Sequence, residues 1–369
     1  MINRDIAKKI KILFVIEQHS ISYKYYEQIL IELKELGHFE TEVFNLVSSE
    51  KVNQHLKQYC SAIYTFDPRK SYKRQILTAR NIIQKAKPDI VHAHEVIPAF
   101  YASLGLTLSC SRAKLIFHRH HSFYRNRATK FMERIAFWRS NLSICVSKTM
   151  REKTITEHPL AMKKIIYLYN GIKIEDSSNP ILFKFDKYCG YHKILLLARL
   201  RSGKGHHIAI AAIEIIQKRF PNIVLFFAGD GELKTELNKV IVQKGLAENI
   251  ILLGDVNNIR ALFSNIDISI LPSESEAFNL SILETFASKK LSIASNLPSI
   301  KECIVDGKTG VLIEPNNAQS LAEKIIYYIE NKALREEIAY NGYELYCREY
   351  TTKRMVNKLE EVYLKVYDN

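Results

Sequence analysis

LLLARLRSGKGHHIAIAAI, residues 195–213, passes from an apolar run through a glycine-punctuated loop into a helical pattern. A short buried strand feeding directly into a helix is the repeating unit of a parallel sheet covered by helices. Arg199 follows the strand and Lys204 precedes the helix, with Gly203 and Gly205 leaving the loop room for close approach to a ligand. Two cations at a strand end can neutralise a diphosphate as negative charge develops on it. Taken alone, the same two residues also read as ordinary surface cations.

Outward from this unit the pattern repeats. Toward the C-terminus run the strand NIVLFFAG, the helix ELKTELNKVIVQKG, the strand NIILLG, the short helix IRALFSN and the strand IDISILPS. The helix holding Glu284 comes next, then the strands LSIAS and GVLIEP and the helix SLAEKIIYYIEN. Toward the N-terminus an equivalent series begins at the strand IKILFVI and continues through YYEQILIELKELGH, ETEVFNL, QILTARNIIQKAKPD, IVHAHE, AKLIFHRH, LSICVS and KIIYLYNG. Two alternating series mean two doubly wound α/β domains, with ligands expected in the cleft at the carboxyl ends of the strands. IKIEDSSNP, residues 172–180, is polar and turn-rich and is the linker candidate. The expected division is residues 1–172, a linker over 173–190, a second domain over 191–348, and a final helix over 349–369. That helix carries apolar positions at Met355, Leu359, Val362 and Val366.

At 369 residues and 47% hydrophobic, the chain can bury two cores. Its longest apolar runs are strand-sized, well short of the roughly 20 residues that cross a bilayer, and the N-terminal run reads as a strand and not a signal peptide. Six cysteines stand tens of residues apart without a CxxC pair, which suits reduced thiols in the cytoplasm. Residues 1–174 hold 29 Lys and Arg against 14 Asp and Glu, a balance of +15, whereas residues 175–369 hold 24 against 25, a balance of −1. Such asymmetry directs the first domain toward a polyanion. An anionic membrane fits better than nucleic acid, because no helix-turn-helix, RRM or zinc pattern accompanies the charge. The densest basic stretch, Ser111–Ser140, contains Phe131, Ile135 and Trp138 at helical spacing; that stripe either packs within its own domain or meets a membrane.

A second loop carries carboxylates. In PSESEAFNLSILETFASKK, residues 272–290, Pro272 ends a strand, Glu276 lies in the following loop, and a helix starts near Asn279 or Leu280. The backbone N–H groups of Phe278, Asn279 and Leu280 are then first-turn donors suited to phosphate. Glu276 and Glu284 could hold sugar and ribose hydroxyls, or could be a helix cap and a solvated helix residue.

In order, ARLRSGKG, FAGDGEL, LLGDV, PSESEAFNLSILETFAS and ECIVDGKTGVLIEP resemble the motifs of GT-B glycosyltransferases, and among them the retaining family 4 enzymes (glycosyl transferases group 1). The match runs over roughly residues 190–330, and is looser through KPDIVHAHE, CVSKTMRE and LYNGI. The resemblance implies two Rossmann-like domains facing across a cleft, with the C-terminal helix crossing back to the N-terminal, acceptor-binding domain. It implies that Arg199, Lys204 and the backbone of Phe278, Asn279 and Leu280 hold the donor diphosphate, that Glu284 holds the ribose, and that Gly254, Asp255 and Val256 line the base. It further implies catalytic roles for Glu276, on the transferred sugar, and His120, with His118 and His121 as fallbacks one or two positions away. His92 and His94, on one strand face, read as buried and hydrogen-bonded, and a metal cluster lacks a second half. No D-x-D occurs, so metal-independent transfer without a cofactor is expected; the resemblance implies retention at the anomeric carbon and transfer from a nucleotide-sugar (UDP-sugar before GDP-sugar) to a glycan or glycolipid acceptor. The setting implied is the cytoplasmic face of a membrane, in cell-surface polysaccharide or lipopolysaccharide synthesis, with a catalytically degenerate nucleotide-sugar-binding protein as the alternative. The chain departs from the family where VIEQHSISYKYY lacks the usual glycine pair, and where Ala277 and Asn279 replace two glycines.

Overall fold

The computed structural model describes residues 9–17, 23–47, 50–66, 71–121, 126–174 and 183–368. Three stretches singled out in the sequence lie partly outside these residues: the loop after the first strand at 18–22, part of the basic stretch at 122–125, and most of the linker candidate at 175–182. The chain divides into two compact units, residues 1–170 with 352–369, and residues 171–351.

The first unit runs β1 (Ile10–Ile16), α1 (Tyr23–Leu36), β2 (Phe39–Asn45), α2 (Glu50–Leu56), β3 (Ala62–Thr65), α3 (Tyr72–Ala86), β4 (Ile90–His94), α4 (Val96–Leu108), β5 (Lys114–Arg119), α5 (Arg127–Arg139), β6 (Leu142–Cys145), α6 (Lys148–Glu157) and β7 (Ile165–Tyr167), with a 3-10 turn at Pro159–Lys164. Its strands form one parallel sheet in the order β3-β2-β1-β4-β5-β6-β7. The second unit runs β8 (His192–Leu197), α7 (His206–Ile216), β9 (Ile223–Ala228), α8 (Lys234–Gln243), β10 (Ile250–Gly254), α9 (Ile259–Ser264), β11 (Ile268–Leu271), α10 (Leu280–Ala287), β12 (Leu291–Ser295), β13 (Val311–Ile313), α11 (Ala318–Glu330) and α12 (Lys332–Glu349). Its sheet is also parallel, in the order β10-β9-β8-β11-β12-β13. The last helix, α13 (Thr352–Asp368), belongs to the first unit.

Strands such as IKILFVI and IVLFFA are apolar on both faces because helices cover both sides of each sheet. In each sheet the strand order reverses once, between β1 and β4 and between β8 and β11. These switch points open a crevice at the strand carboxyl ends, where ligands bind in such sheets. Helix α13 buries Met355, Val356, Leu359, Tyr363 and Val366 in the core built on β1 and α1.

Two segments differ from their sequence reading. In α5 the inward face is Glu133, Ala136 and Phe137, while Phe131 and Trp138 stand 63% and 77% exposed. The reading in which Phe131, Ile135 and Trp138 pack as a stripe within the domain is therefore corrected. The reason is electrostatic: the buried Arg119 guanidinium draws Glu133 inward at 2.9 Å, which turns the aromatics out. Residues 183–190, read as the end of a linker, hold a 3-10 turn whose buried Tyr188 packs with Phe183 and Phe185 against Phe226. Among the described residues, no helix is long and apolar enough to cross a membrane.

Candidate active site

At the β8/β11 switch point the polar loops are knitted by their own backbones. The Leu200 N–H donates to the Asp230 carbonyl at 3.1 Å, and the Leu233 N–H donates to the Leu200 carbonyl at 2.9 Å. A Cβ on Gly231 would stand 2.3 Å from the Leu200 carbonyl oxygen, so the AGDG turn can press against the Arg199 loop only with glycine there. Gly205 is held as firmly: its φ is +75°, and a Cβ would meet the Pro272 carbonyl oxygen at 2.0 Å. The Glu274 N–H then donates to the Gly203 carbonyl at 3.0 Å, which joins the lysine loop to the glutamate loop.

That join brings Lys204 and Glu276 together. The Lys204 ammonium lies 2.8 and 3.0 Å from the two Glu276 carboxylate oxygens, with the side chains only 13% and 6% exposed. Ser273 donates its hydroxyl to the same carboxylate at 2.7 Å, and the Ser299 hydroxyl donates to the Glu276 carbonyl at 2.7 Å. A largely dehydrated pair gains little net stability, but leaves an uncompensated charge when either partner is removed. Glu276 is thus a fixed side chain and not the helix cap. Asn279 caps α10, its side-chain oxygen accepting from the Ser281 N–H at 2.8 Å and from the Ser281 hydroxyl at 2.6 Å. Phe278, Asn279 and Leu280 are half-buried at that helix start, Glu284 is half-buried one turn on, and Arg199 is exposed beyond β8. Gly254 ends β10 with φ +68°; Asp255 beyond it is exposed, and Val256 packs on the adjoining hydrophobic cluster.

His120 lies in the first unit, beyond β5, at the side of the switch point between β1 and β4. It belongs to a ladder of four imidazoles: the His92, His94, His118 and His120 rings stack or tilt on one another at centroid distances of 4.2–5.3 Å. His94 Nδ1 meets His120 Nε2 at 2.9 Å, His92 Nε2 meets His118 Nδ1 at 3.2 Å, and His92 Nδ1 meets the Tyr363 hydroxyl at 2.6 Å. Burial pushes the His92 imidazole down to about 3, with the neighbouring His120 adding to the shift. Burial first, and mutual repulsion second, hold His94, His118 and His120 well below the usual histidine range, so all four are neutral near pH 7. His92, His94 and His118 offer nitrogens within 4.8 Å of one another. Their rings are nevertheless stacked side by side, 4° apart for His92 and His118, and both His92 nitrogens are engaged, so lone pairs do not converge as a metal requires. The fallback His118 is buried in the ladder, whereas His121 faces outward and pairs with Glu95. A second acidic group, Glu133, Glu157 and His158, surrounds the Arg119 guanidinium, which already supplies its cation.

Sequence reasoning overlooked Ser273 and Ser299, which orient Glu276, and the contact of His94 with His120. Ser273 stood in the quoted motif, and the period-two spacing of His92 and His94 was the available sign of the ladder.

Two doubly wound parallel units, the second with a cation and a carboxylate at its switch point, define a GT-B glycosyltransferase. The chain belongs to glycosyltransferase family 4: Glycosyl transferases group 1 matches residues 178–345 and Glycosyltransferase Family 4 matches residues 25–176. A glycosyltransferase of Methanocaldococcus jannaschii is 26% identical, over 100% of this chain and 95% of its own. The capsular polysaccharide biosynthesis glycosyltransferase CapM of Staphylococcus aureus is 23% identical, over 86% and 89%. The structure of Anabaena HepE in complex with UDP-glucose shares the fold, with a TM-score of 0.83, 20% identity, and coverage of 96% and 100%.

Proposed function

We propose that the protein transfers a sugar, with retention at the anomeric carbon, from a nucleotide-sugar to a hydroxyl of a lipid-linked glycan in cell-surface polysaccharide synthesis. The observation that carries this reading is the enclosed Lys204–Glu276 pair at the β8/β11 switch point. Arriving diphosphate oxygens compete with Glu276 for the Lys204 ammonium, and Arg199 supplies a second cation. Glu276, relieved of part of that pairing, accepts hydroxyls of the transferred sugar. Glu284 accepts ribose hydroxyls, the start of α10 faces the phosphates, and the turn at Gly254, Asp255 and Val256 borders the base. His120 stands on the acceptor side, and the departing diphosphate takes the proton of the attacking hydroxyl on the same face. Such a reaction asks the protein for positioning and for charge stabilisation at the leaving group, without a metal.

A UDP-sugar is the favoured donor, in line with the UDP-glucose held by HepE, and CapM supports the capsular or related setting. Incubation with UDP-sugars and an extract of lipid-linked glycans tests the reading. Released UDP with a lengthened glycan of retained configuration supports it; turnover with inversion, or none with any nucleotide-sugar, refutes it. The membrane part rests on α5, whose exposed Phe131 and Trp138 accompany the exposed Arg127, Lys130 and Arg134. Flotation with anionic vesicles, weakened by Trp138→Ala and by salt, is the expected outcome. Equal recovery with neutral and anionic vesicles would remove the electrostatic part.

A further inference from the structure

His94 and His120 share one hydrogen bond, and both rings are held neutral by burial. Each ring therefore carries one proton, and two arrangements are open. In one, His94 donates from Nδ1 and keeps a bare lone pair at Nε2. In the other, His120 donates from Nε2 and His94 must carry its own proton at Nε2. That nitrogen is enclosed and has no hydrogen-bond partner among the described residues. The nearby Tyr26 ring, perpendicular at 4.9 Å, offers at best a weak π acceptor. A buried N–H without an acceptor bears the full desolvation cost, and orphaned donors are rarer than under-used acceptors. The first arrangement is the less costly.

We propose that His94 donates to His120 and so fixes His120 as its Nδ1–H tautomer, making it a hydrogen-bond donor toward substrate and not a base. With its Nε2 lone pair occupied by His94 and its proton at Nδ1, neutral His120 has no free lone pair to accept the proton of an attacking hydroxyl. His94 can impose this because its own ring is clamped, stacked on Phe14 at 5.7 Å and tilted on His92 at 4.2 Å. It is a positioning residue. The consequence for substrate rests on the acceptor-side reading of His120; the tautomer does not.

Long-range 1H–15N spectra of full-length protein labelled at histidine nitrogen read the tautomer directly, with the His120 signals identified by their loss in His120→Asn. The wild type should show a protonated Nδ1 and a bare Nε2 at His120. His94→Asn, whose amide N–H can replace the donor, should keep that pattern. His94→Phe should release it toward the Nε2–H form, with transfer falling about tenfold, the order of one hydrogen bond. An Nε2–H tautomer at His120 in the wild type, or an unchanged one in His94→Phe, overturns the proposal; should His94→Phe not fold, the wild-type spectrum decides alone. The expected tautomer in a protein that turns over no donor leaves the role of His94 standing and removes the transferase assignment.

Discussion

Lys204 and Glu276 were separate candidates in the sequence, one for phosphate and one for sugar, and in the fold they neutralise each other. This pairing predicts opposite effects on nucleotide binding. Glu276→Gln frees the ammonium and should tighten binding of UDP alone, on the order of tenfold, whereas Lys204→Ala should weaken it by a similar factor. Titration calorimetry with UDP is the check, and loss of affinity in both variants would mean that the pair acts as one rigid support. Either change also leaves a partly buried charge uncompensated, so each single variant should lose about 3 kcal/mol of stability. The position of both residues in the loops at strand ends was legible from the apolar runs and the turn residues that follow them. Their contact was not, because 72 positions separate them and their loops meet through the close approach of Gly205 to Pro272 and the Glu274–Gly203 backbone bond.

Helix α13 shows what an apolar stripe does and does not reveal. The spacing of Met355, Leu359, Val362 and Val366 gave the helix and its apolar face; Met355, Leu359 and Val366 are in the core of the first unit, and Val362 packs half-buried against it. Tyr363 escaped notice, although it is fully buried and meets His92 at 2.6 Å. Leu359→Ala should cost about 2–5 kcal/mol in urea unfolding by opening a cavity. Tyr363→Phe should cost about 1–3 kcal/mol by leaving a buried imidazole nitrogen unpaired, and no loss in either would place the helix outside the cooperative unit. Other elements were harder to read. The strand β3 has four half-buried residues at the sheet edge, too few for a pattern to stand out. Helix α12 buries Arg335, Ile338, Ala339, Gly342 and Tyr346 on one face, but an arginine and a glycine on that face and the exposed Tyr340 off it blur the apolar pattern. In α5 the periodicity was clear but the inward face was set by Glu133 and its partner Arg119, a contact that hydrophobic spacing does not report.

For the whole molecule, the imidazole ladder couples stability to pH. His92 is shifted from 6.5 down to about 3, and His206, buried beside Lys204, down to about 4. Below pH 6.5 the unfolded chain takes up protons that the folded histidines refuse, so stability is full above that pH and falls as pH drops toward the folded values. Each such histidine contributes about 1.4 kcal/mol per pH unit in that window. Urea midpoints should therefore fall steeply between pH 6.5 and 4.5, and a flat profile there would mean that the ladder is hydrated. The class of fold was legible over the whole chain, because strand and helix alternate so regularly and the turn motifs come in order. The imidazole ladder was the least legible feature, since its members are brought together by adjacent strands and held by a helix some 270 positions away.

The central claim is that the loops at residues 199–205 and 272–284 form a nucleotide-sugar site. Thermal shift of the purified protein with UDP, GDP, ADP, CMP and their sugar conjugates, repeated with Arg199→Ala and Glu284→Ala, tests it most directly. A rise in melting temperature selective for one base, and lost in both variants, is expected. Stabilisation by none of the nucleotides, or one that survives both substitutions, would place the donor elsewhere and leave these carboxylates and cations as supports of the fold.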